Sequence, residues 1–169
     1  KVENVFEALE QPGEWYLDRS KSELYYLPAE GVDLKAALVE VPLLETLVKF
    51  NGSQENPIRN ITLSGFRVAH TTSTIFEEYV VPSNGDWTIH RGGAVFFDGV
   101  EDSGVGECFF DAVGGNAVFI NNYNRRIAVY GNKFTETGDS AICLVGDKYR
   151  TVGSNKPYPA ENVISNNLI

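Results

Sequence analysis

Asp98 and Asp139 are the carboxylates best placed for acid–base work, because each sits at the edge of a short apolar run. Asp98 follows Val95-Phe96-Phe97, and Asp139 precedes Ala141-Ile142-Cys143-Leu144. A pair of carboxyl groups hydrolyses a glycosidic bond with retention at a separation of about 5 to 5.5 Å, and with inversion at about 6.5 to 9.5 Å. Strands of neighbouring repeats lie about 4.8 Å apart, so carboxylates on nearby repeats reach these spacings. Asp98 and Asp139, two repeats apart, stand at the upper end as a candidate catalytic pair. The alternative is that each is a turn carboxylate bonded to local amides.

Around this pair lie residues suited to holding a polyhydroxylated ligand. Phe96 and Phe119 occupy equivalent outward positions and form an expected aromatic floor, on which the C–H face of a pyranose would pack. His90, just before the Gly92-Gly93 turn, and Trp87 rise beside that floor. Asn121, Tyr123 and Arg126, in a turn with Asn122 and Asn124, offer donors and acceptors to hydroxyls or to a uronate. The other reading of the floor is that loop residues cover Phe96 and Phe119. Glu101, Asp102, Glu107 and Asp111 supply hard oxygen ligands that would accept Ca²⁺, or else form a solvated edge. No other cofactor is called for.

These residues are ordered by an internal repeat. Gly92-Gly93-Ala94-Val95-Phe96-Phe97, Gly115-Asn116-Ala117-Val118-Phe119-Ile120 and Asp139-Ser140-Ala141-Ile142-Cys143-Leu144 align at offsets of 23 and 24 residues. A second column contains Ile61 to Val68, Val105 to Phe110, Ile127 to Phe134 and Ile164 to Ile169, with Phe110 and Phe134 again 24 apart. Two columns with one period imply one coil per period, as in a right-handed parallel β-helix. The fold class expected is thus all-β, a solenoid with an N-terminal β-hairpin appendage.

Strand alternation turns Val95, Phe97, Val118, Ile120, Ile142, Leu144, Val105, Phe110, Val129 and Phe134 inward. It turns Ala94, Phe96, Ala117, Phe119, Ala141 and Cys143 outward. Asn132 and Asn167, in register with Cys108, are expected to stack as an amide ladder at a bend. A leucine-rich repeat is excluded because its LxxLxLxxN pattern is absent, and a propeller needs about 40 residues per unit.

Residues 1–50 read differently. Gly13 to Arg19 and Glu23 to Pro28 alternate around Ser20-Lys21-Ser22 as a hairpin, and Pro42 to Phe50 is one further apolar element, together an appendage packed on the solenoid. Residues 51–169 are the coils, with loop insertions at about 69–92 and 146–161. These insertions make two walls beside the Phe96 sheet. The first carries His70, Glu77, Glu78, Trp87 and His90, and the second Asp147, Lys148, Tyr149 and Arg150. Two walls and a floor make a groove. The first residue is Lys1, and the last repeat is open at Ile169, so the chain is expected to be a fragment whose remaining coils belong to the same longer polypeptide.

The chain has 169 residues and a formal net charge of −9. That balance argues against nucleic acid and anionic membranes, which need a basic footprint, and leaves an oligosaccharide or polysaccharide as the partner. No apolar run is long enough to span a bilayer as a helix. Cys108 and Cys143 lack zinc or redox spacing and read as free thiols.

Asn4-Val5-Phe6-Glu7-Ala8-Leu9, Pro12-Gly13-Glu14-Trp15-Tyr16-Leu17-Asp18-Arg19 and Leu24-Tyr25-Tyr26-Leu27-Pro28, followed by the Gly92 and Gly114 turns, resemble bacterial β-helix proteins of the pectin lyase-like superfamily. The nearest group is glycoside hydrolase family 141. The resemblance implies a secreted or periplasmic bacterial protein, part of a polysaccharide-degrading glycoside hydrolase of fucosidase or xylanase type. Its alternatives are a polysaccharide lyase and a non-catalytic glycan-binding or structural β-helix module.

Overall fold

The computed structural model describes residues 4–81, 87–147 and 157–169. It divides into two compact units, residues 1–40 and 41–169. In the first, a 3₁₀ turn at Phe6–Ala8 precedes an antiparallel hairpin of β1 (Trp15–Asp18) and β2 (Glu23–Tyr26). The Asp18 carboxylate closes its turn by accepting from Ser20 N at 3.0 Å, Lys21 N at 3.2 Å and Lys21 Nζ at 3.1 Å. Hydrogen bonds from Ser20 and Lys21 hold that carboxyl down at about 2. Phe6 packs edge-on against Tyr16 and Tyr25 across the hairpin.

The second unit is built of short strands: β3 (Val48–Asn51), β4 (Ile58–Arg59), β5 (Thr62–Ser64), β6 (Arg67–Ala69), β7 (Val95–Glu101), β8 (Gly104–Gly106), β9 (Phe109–Asp111), β10 (Val118–Arg125), β11 (Ala128–Tyr130), β12 (Lys133–Thr135), β13 (Ile142–Val145), β14 (Pro159–Ala160) and β15 (Val163–Ser165). All pair in parallel. They form three stacked sheets, ordered β13-β10-β7-β3 (with β14 on β10 and β4 on β7), β15-β11-β8-β5 and β12-β9-β6. The arrangement is all-β and consistent with a β-helix-like solenoid. Val118 pairs with Val95 and Ile142, Val129 with Val105 and Ile164, and Phe134 with Phe110, the columns expected from the 23- and 24-residue offsets.

One strand belongs elsewhere than expected. Val48–Asn51, read with the N-terminal appendage, pairs with β7 and extends the same column, Val48 beside Val95 and Phe50 beside Phe97. The second unit accordingly begins at Val41.

The inner core is a set of like residues stacked on like. The rings of Phe50 and Phe97 stack at 4.8 Å and those of Phe110 and Phe134 at 4.7 Å, around fully buried Val95, Val105, Val118, Ile120 and Val129. Ala94, Ala117 and Ala141, expected outward, also join this inner cluster. Each immediately precedes its strand, in the bend where strict alternation has not begun.

Left-handed corners recur in register. Asn60, Asp102, Arg126 and Glu161 follow paired residues of β4, β7, β10 and β14, and all have φ between 49° and 60°. Gly65, Glu107, Gly131 and Asn166 follow β5, β8, β11 and β15 with φ of 76°, 54°, 63° and 55°. His70, Ala112 and Glu136 follow β6, β9 and β12 with φ of 56°, 50° and 52°. One αL residue thus follows each of these strands, and non-glycine residues accept the cost because strand pairing fixes the chain on both sides of the bend.

Side-chain amides satisfy the bends from within. Asn132 Oδ1 accepts the Cys108 N–H at 2.9 Å, and Asn167 Oδ1 accepts the Asn132 N–H at 3.0 Å. The amide nitrogens of Asn132 and Asn167 donate to Val105 O and Val129 O at 3.1 and 2.9 Å. This is the expected ladder, and it leaves the buried backbone groups of the bend partnered.

Candidate functional site

The outward face of the longest sheet carries two rows set by register and alternation. One is Lys49, Phe96, Phe119 and Cys143, and the other is Asn51, Asp98, Asn121 and Val145. Phe96 and Phe119 do stack, 5.9 Å apart and nearly parallel. They are not an open floor. Phe119 is 0% exposed and Phe96 8%, because both are packed with Ile89, Cys143, Val145 and Val80 in a second apolar cluster.

The cover is a strap drawn from the insertion between β6 and β7. Val80 and Ile89 bond each other through both backbone N–H groups at 2.9 Å and turn their β-branched side chains onto the two rings. His90 Nε2 meets Glu45 Oε1 at 2.6 Å, and His90 Nδ1 lies 3.1 Å from Glu78 O. Tyr79 Oη donates to Asp139 at 3.2 Å, and Asn116 Nδ2 donates to His90 O at 3.0 Å. His90 is therefore a strap anchor and not a free ligand group. Burial of its ring opposes protonation, but the hydrogen bonds to Glu45 and the Glu78 carbonyl, with the charges of Glu45 and Glu77, overcome this and raise its pKa. Trp87, on the same strap, is 48% exposed.

In and beside the polar row Asp98 and Asn122 are half-buried, while Asn121 and Val145 are each 7% exposed. Asp98 Oδ2 accepts from Asn121 Nδ2 at 2.8 Å and Asn122 Nδ2 at 2.9 Å. Asn121 Oδ1 accepts from Arg91 Nη1 at 2.7 Å, and Arg91 Nη2 donates to Gly146 O at 2.8 Å. The buried Nε of Arg91 makes no hydrogen bond. Lys49 Nζ stands 5.3 Å over the Phe96 ring. Burial raises the Asp98 pKa against the pull of the two amides and of the Lys49 and Arg91 charges. Burial lowers that of Arg91 against the charges of Asp147 and Asp98. The result is a half-buried carboxylate inclined to hold a proton, fixed by two amides and flanked by cations.

Asp98 and Asp139 are not brought together. Asp98 is in register with Asn121, and through it with Val145 at the end of β13, whereas Asp139 lies exposed in the bend before β13 begins. The length of that strand, about 10 Å, and two strand spacings of about 4.8 Å put them beyond the roughly 9.5 Å limit for a pair. Asp139 instead accepts from Tyr79 and Ser140 as a turn carboxylate.

Tyr123 and Arg126 belong to a charge ladder at the corner. Glu101 accepts from Tyr123 Oη at 2.5 Å, Arg59 Nε at 3.0 Å and Arg126 Nη2 at 3.4 Å. Arg126 grips Asp102 through Nε at 2.6 Å and Nη2 at 2.9 Å, and reaches Glu161 at 3.3 Å. The Arg125 guanidinium covers the Tyr123 ring at 4.5 Å. Both side chains are held by these pairings, with Arg126 still 44% exposed.

Similar pairings engage three of the four acidic residues expected to suit Ca²⁺. Glu101 and Asp102 are taken by arginines, Asp111 by Arg67 at 2.7 Å and by Thr135 at 3.1 Å, and the pKa of each falls, led by the hydrogen bonds from Tyr123, Arg126 and Arg67 respectively. Among the described residues no group of three His, Cys, Asp or Glu side chains is placed to hold a metal ion. Of the second expected wall, Asp147 is described, while Lys148, Tyr149 and Arg150 lie outside the described residues.

Arg91 is the residue of this row that the sequence did not single out, whereas Asn122 was expected in the polar turn beside Asn121. Asn122 shares Gly99's corner, with φ of 51° against 66°, at a register shift between β7 and β10. The irregular alignment of Asp98-Gly99-Val100 with Asn121-Asn122-Tyr123-Asn124 was the available signal. Comparison with known protein families, with curated proteins and with solved structures finds no match.

Proposed function

We propose that residues 41–169 are a segment of right-handed parallel β-helix of the pectin lyase-like kind, from a secreted or periplasmic bacterial protein, and that it binds a polysaccharide across the Asp98 row. The observation that carries the reading is the row itself. Asp98 and Asn122, both half-buried, set a carboxylate and an amide side by side, braced by the buried Asn121, a donor and acceptor pattern that suits sugar hydroxyls. Lys49 and Arg91 neutralise the face locally within a chain of net charge −9, which favours a neutral glycan over a polyanion.

A glycan array tests this directly. Binding should be lost in Asp98→Ala and weakened in Asn122→Ala, with thermal unfolding showing both variants folded. Binding unchanged in both variants overturns the reading.

Hydrolysis of glycosidase type, as in family 141, is the second reading. It is favoured by the raised Asp98 pKa, which suits a general acid, and by Asp147, whose charge reaches Arg91 together with that of Asp98. Release of reducing ends from a glycan that binds, abolished by Asp98→Asn, supports it. Binding without release leaves a glycan-binding module.

A further inference from the structure

Arg91 joins three parts of the molecule at the Asp98 row. It follows His90, whose ring ties the strap to Glu45 at 2.6 Å. Its Nη1 donates to Asn121 Oδ1 at 2.7 Å and its Nη2 to Gly146 O at 2.8 Å. Gly146 stands at the root of the second insertion, which the Asp147 N–H closes onto Pro157 O at 2.7 Å. One guanidinium therefore braces the strap, strand β10 and the second insertion against each other, a task for a planar fork that a lysine ammonium would not match.

The bond to Asn121 also decides how the row presents itself. A side-chain amide has one acceptor end and one donor end, and a guanidinium has donors only. Arg91 must take the Oδ1 end, which turns Nδ2 toward Asp98 Oδ2 at 2.8 Å. The reversed amide would set donor against donor at Arg91 and acceptor against acceptor at Asp98, in a side chain too buried for water to repair the loss. Asn122 Nδ2 gives its hydrogen bond to the same carboxylate oxygen. Among the described residues, Asp98 Oδ1 receives none. Both terminal nitrogens of Arg91 are engaged and its Nε is buried, so its influence on a ligand passes through Asn121.

We infer that Arg91 is a positioning residue of the Asp98 site: it locks the Asn121 amide with its donor end toward Oδ2, so that Asp98 is held by that oxygen and offers Oδ1 to a single ligand hydroxyl. The nature of the ligand rests on the glycan reading, whereas the order Arg91, Asn121, Asp98 is a property of the free protein.

The test follows the titration of the Asp98 carboxyl carbon by NMR in the free protein, and the affinity for the tightest-bound member of the glycan array, in Arg91→Met, Asn121→Ala and the double variant. Arg91→Met alone should move the Asp98 midpoint upward and weaken binding about tenfold, the worth of a hydrogen bond to a charged group. In the Asn121→Ala background the same substitution should weaken binding by no more than about twofold and move the midpoint by a smaller step, that of the lost charge alone. A brace without the positioning role would act through its charge in both backgrounds, so equal steps in the two overturn the inference. Should Arg91→Met fail to fold, Asn121→Asp carries the test, since it keeps an acceptor for Arg91 and removes the donor to Asp98; it should raise the midpoint and weaken binding, and a midpoint and affinity like the parent's overturn the inference. If no glycan binds the parent, the glycan reading falls and the titration still decides the role of Arg91.

Discussion

His90 Nε2 and Glu45 Oε1, 2.6 Å apart, tie the strap to the segment leading into β3, and they make its hold depend on pH. The His90 pKa is raised, so the folded protein binds its proton more tightly than the unfolded chain does. The stability this contributes is complete below about 6.5, the ordinary histidine value, and is lost as pH rises through the raised value. Amide exchange at Val80 and Ile89 should accelerate over that interval while exchange at Val118 and Val129 holds steady. His90→Gln should flatten the response, and a response that persists in His90→Gln would place its origin elsewhere.

Phe119 behaves as core. It is fully buried and stacked on Phe96 beneath Val80 and Ile89, so Phe119→Ala should cost about 3–5 kcal/mol of unfolding free energy. Phe119→Leu, which keeps much of the volume, should cost far less and leave glycan binding intact. Loss of binding in a stable Phe119→Leu variant would mean that the strap opens and the ring contacts ligand.

Asp98 is expected to trade stability for function. Burial raises its pKa, so its ionisation at neutral pH opposes folding, and the stability present below the ordinary aspartate value declines as pH rises through the folded value. Asp98→Asn keeps an acceptor for Asn121 or Asn122 and removes the charge. The variant should be more stable than the parent at pH 7, with the difference closing below about pH 4, and should bind glycan less well. Denaturant titrations at the two pH values check this, and lower stability at pH 7 would show that the charge is favourably held.

How much of this was legible in the sequence follows from which interactions are periodic. Phe110 and Phe134, Val105 and Val129, and the ladder of Asn132 and Asn167 repeat at a fixed step and were readable because like stacks on like. Val48–Asn51 was not, since the strap insertion stretches its distance from Val95 to 47 residues and no Gly-Gly turn precedes it. Alternation put Phe96 and Phe119 on the outer face, but their covering by Val80 and Ile89 is a tertiary event with no period. The corners were half visible, as Gly65 and Gly131 mark two of them while Asp102, Glu107 and Ala112 take the same φ without a glycine signature. Arg126 read as a substrate-binding group and Asp139 as a catalytic one because their partners, Asp102 and Tyr79, lie 24 and 60 residues away.

Asn132 should be among the costliest polar side chains to remove. It is 2% exposed and partners Cys108 N, Val105 O and Asn167 Oδ1. Asn132→Ala leaves the Cys108 N–H buried without that acceptor, at about 1–3 kcal/mol. The loss should appear as a lower unfolding midpoint with faster exchange at Cys108. A change under about 0.5 kcal/mol would mean that water enters the bend.

Glu107 offers the opposite case, a corner where substitution should stabilise. Its φ is 54° and its side chain is exposed, and Gly131 fills the equivalent corner one repeat on with φ of 63°. An L-residue pays roughly 1–2 kcal/mol for this conformation, whereas glycine pays only its greater chain entropy, roughly 0.5–1 kcal/mol. Glu107→Gly should therefore gain about 0.5–1 kcal/mol, a rise of about 2 °C in Tm for a chain of this size, and Gly131→Ala should lose a similar amount. If Glu107→Gly destabilises, the corner is held by the glutamate side chain, and Glu107→Ala, which keeps the backbone cost but removes that chain, would show the larger loss.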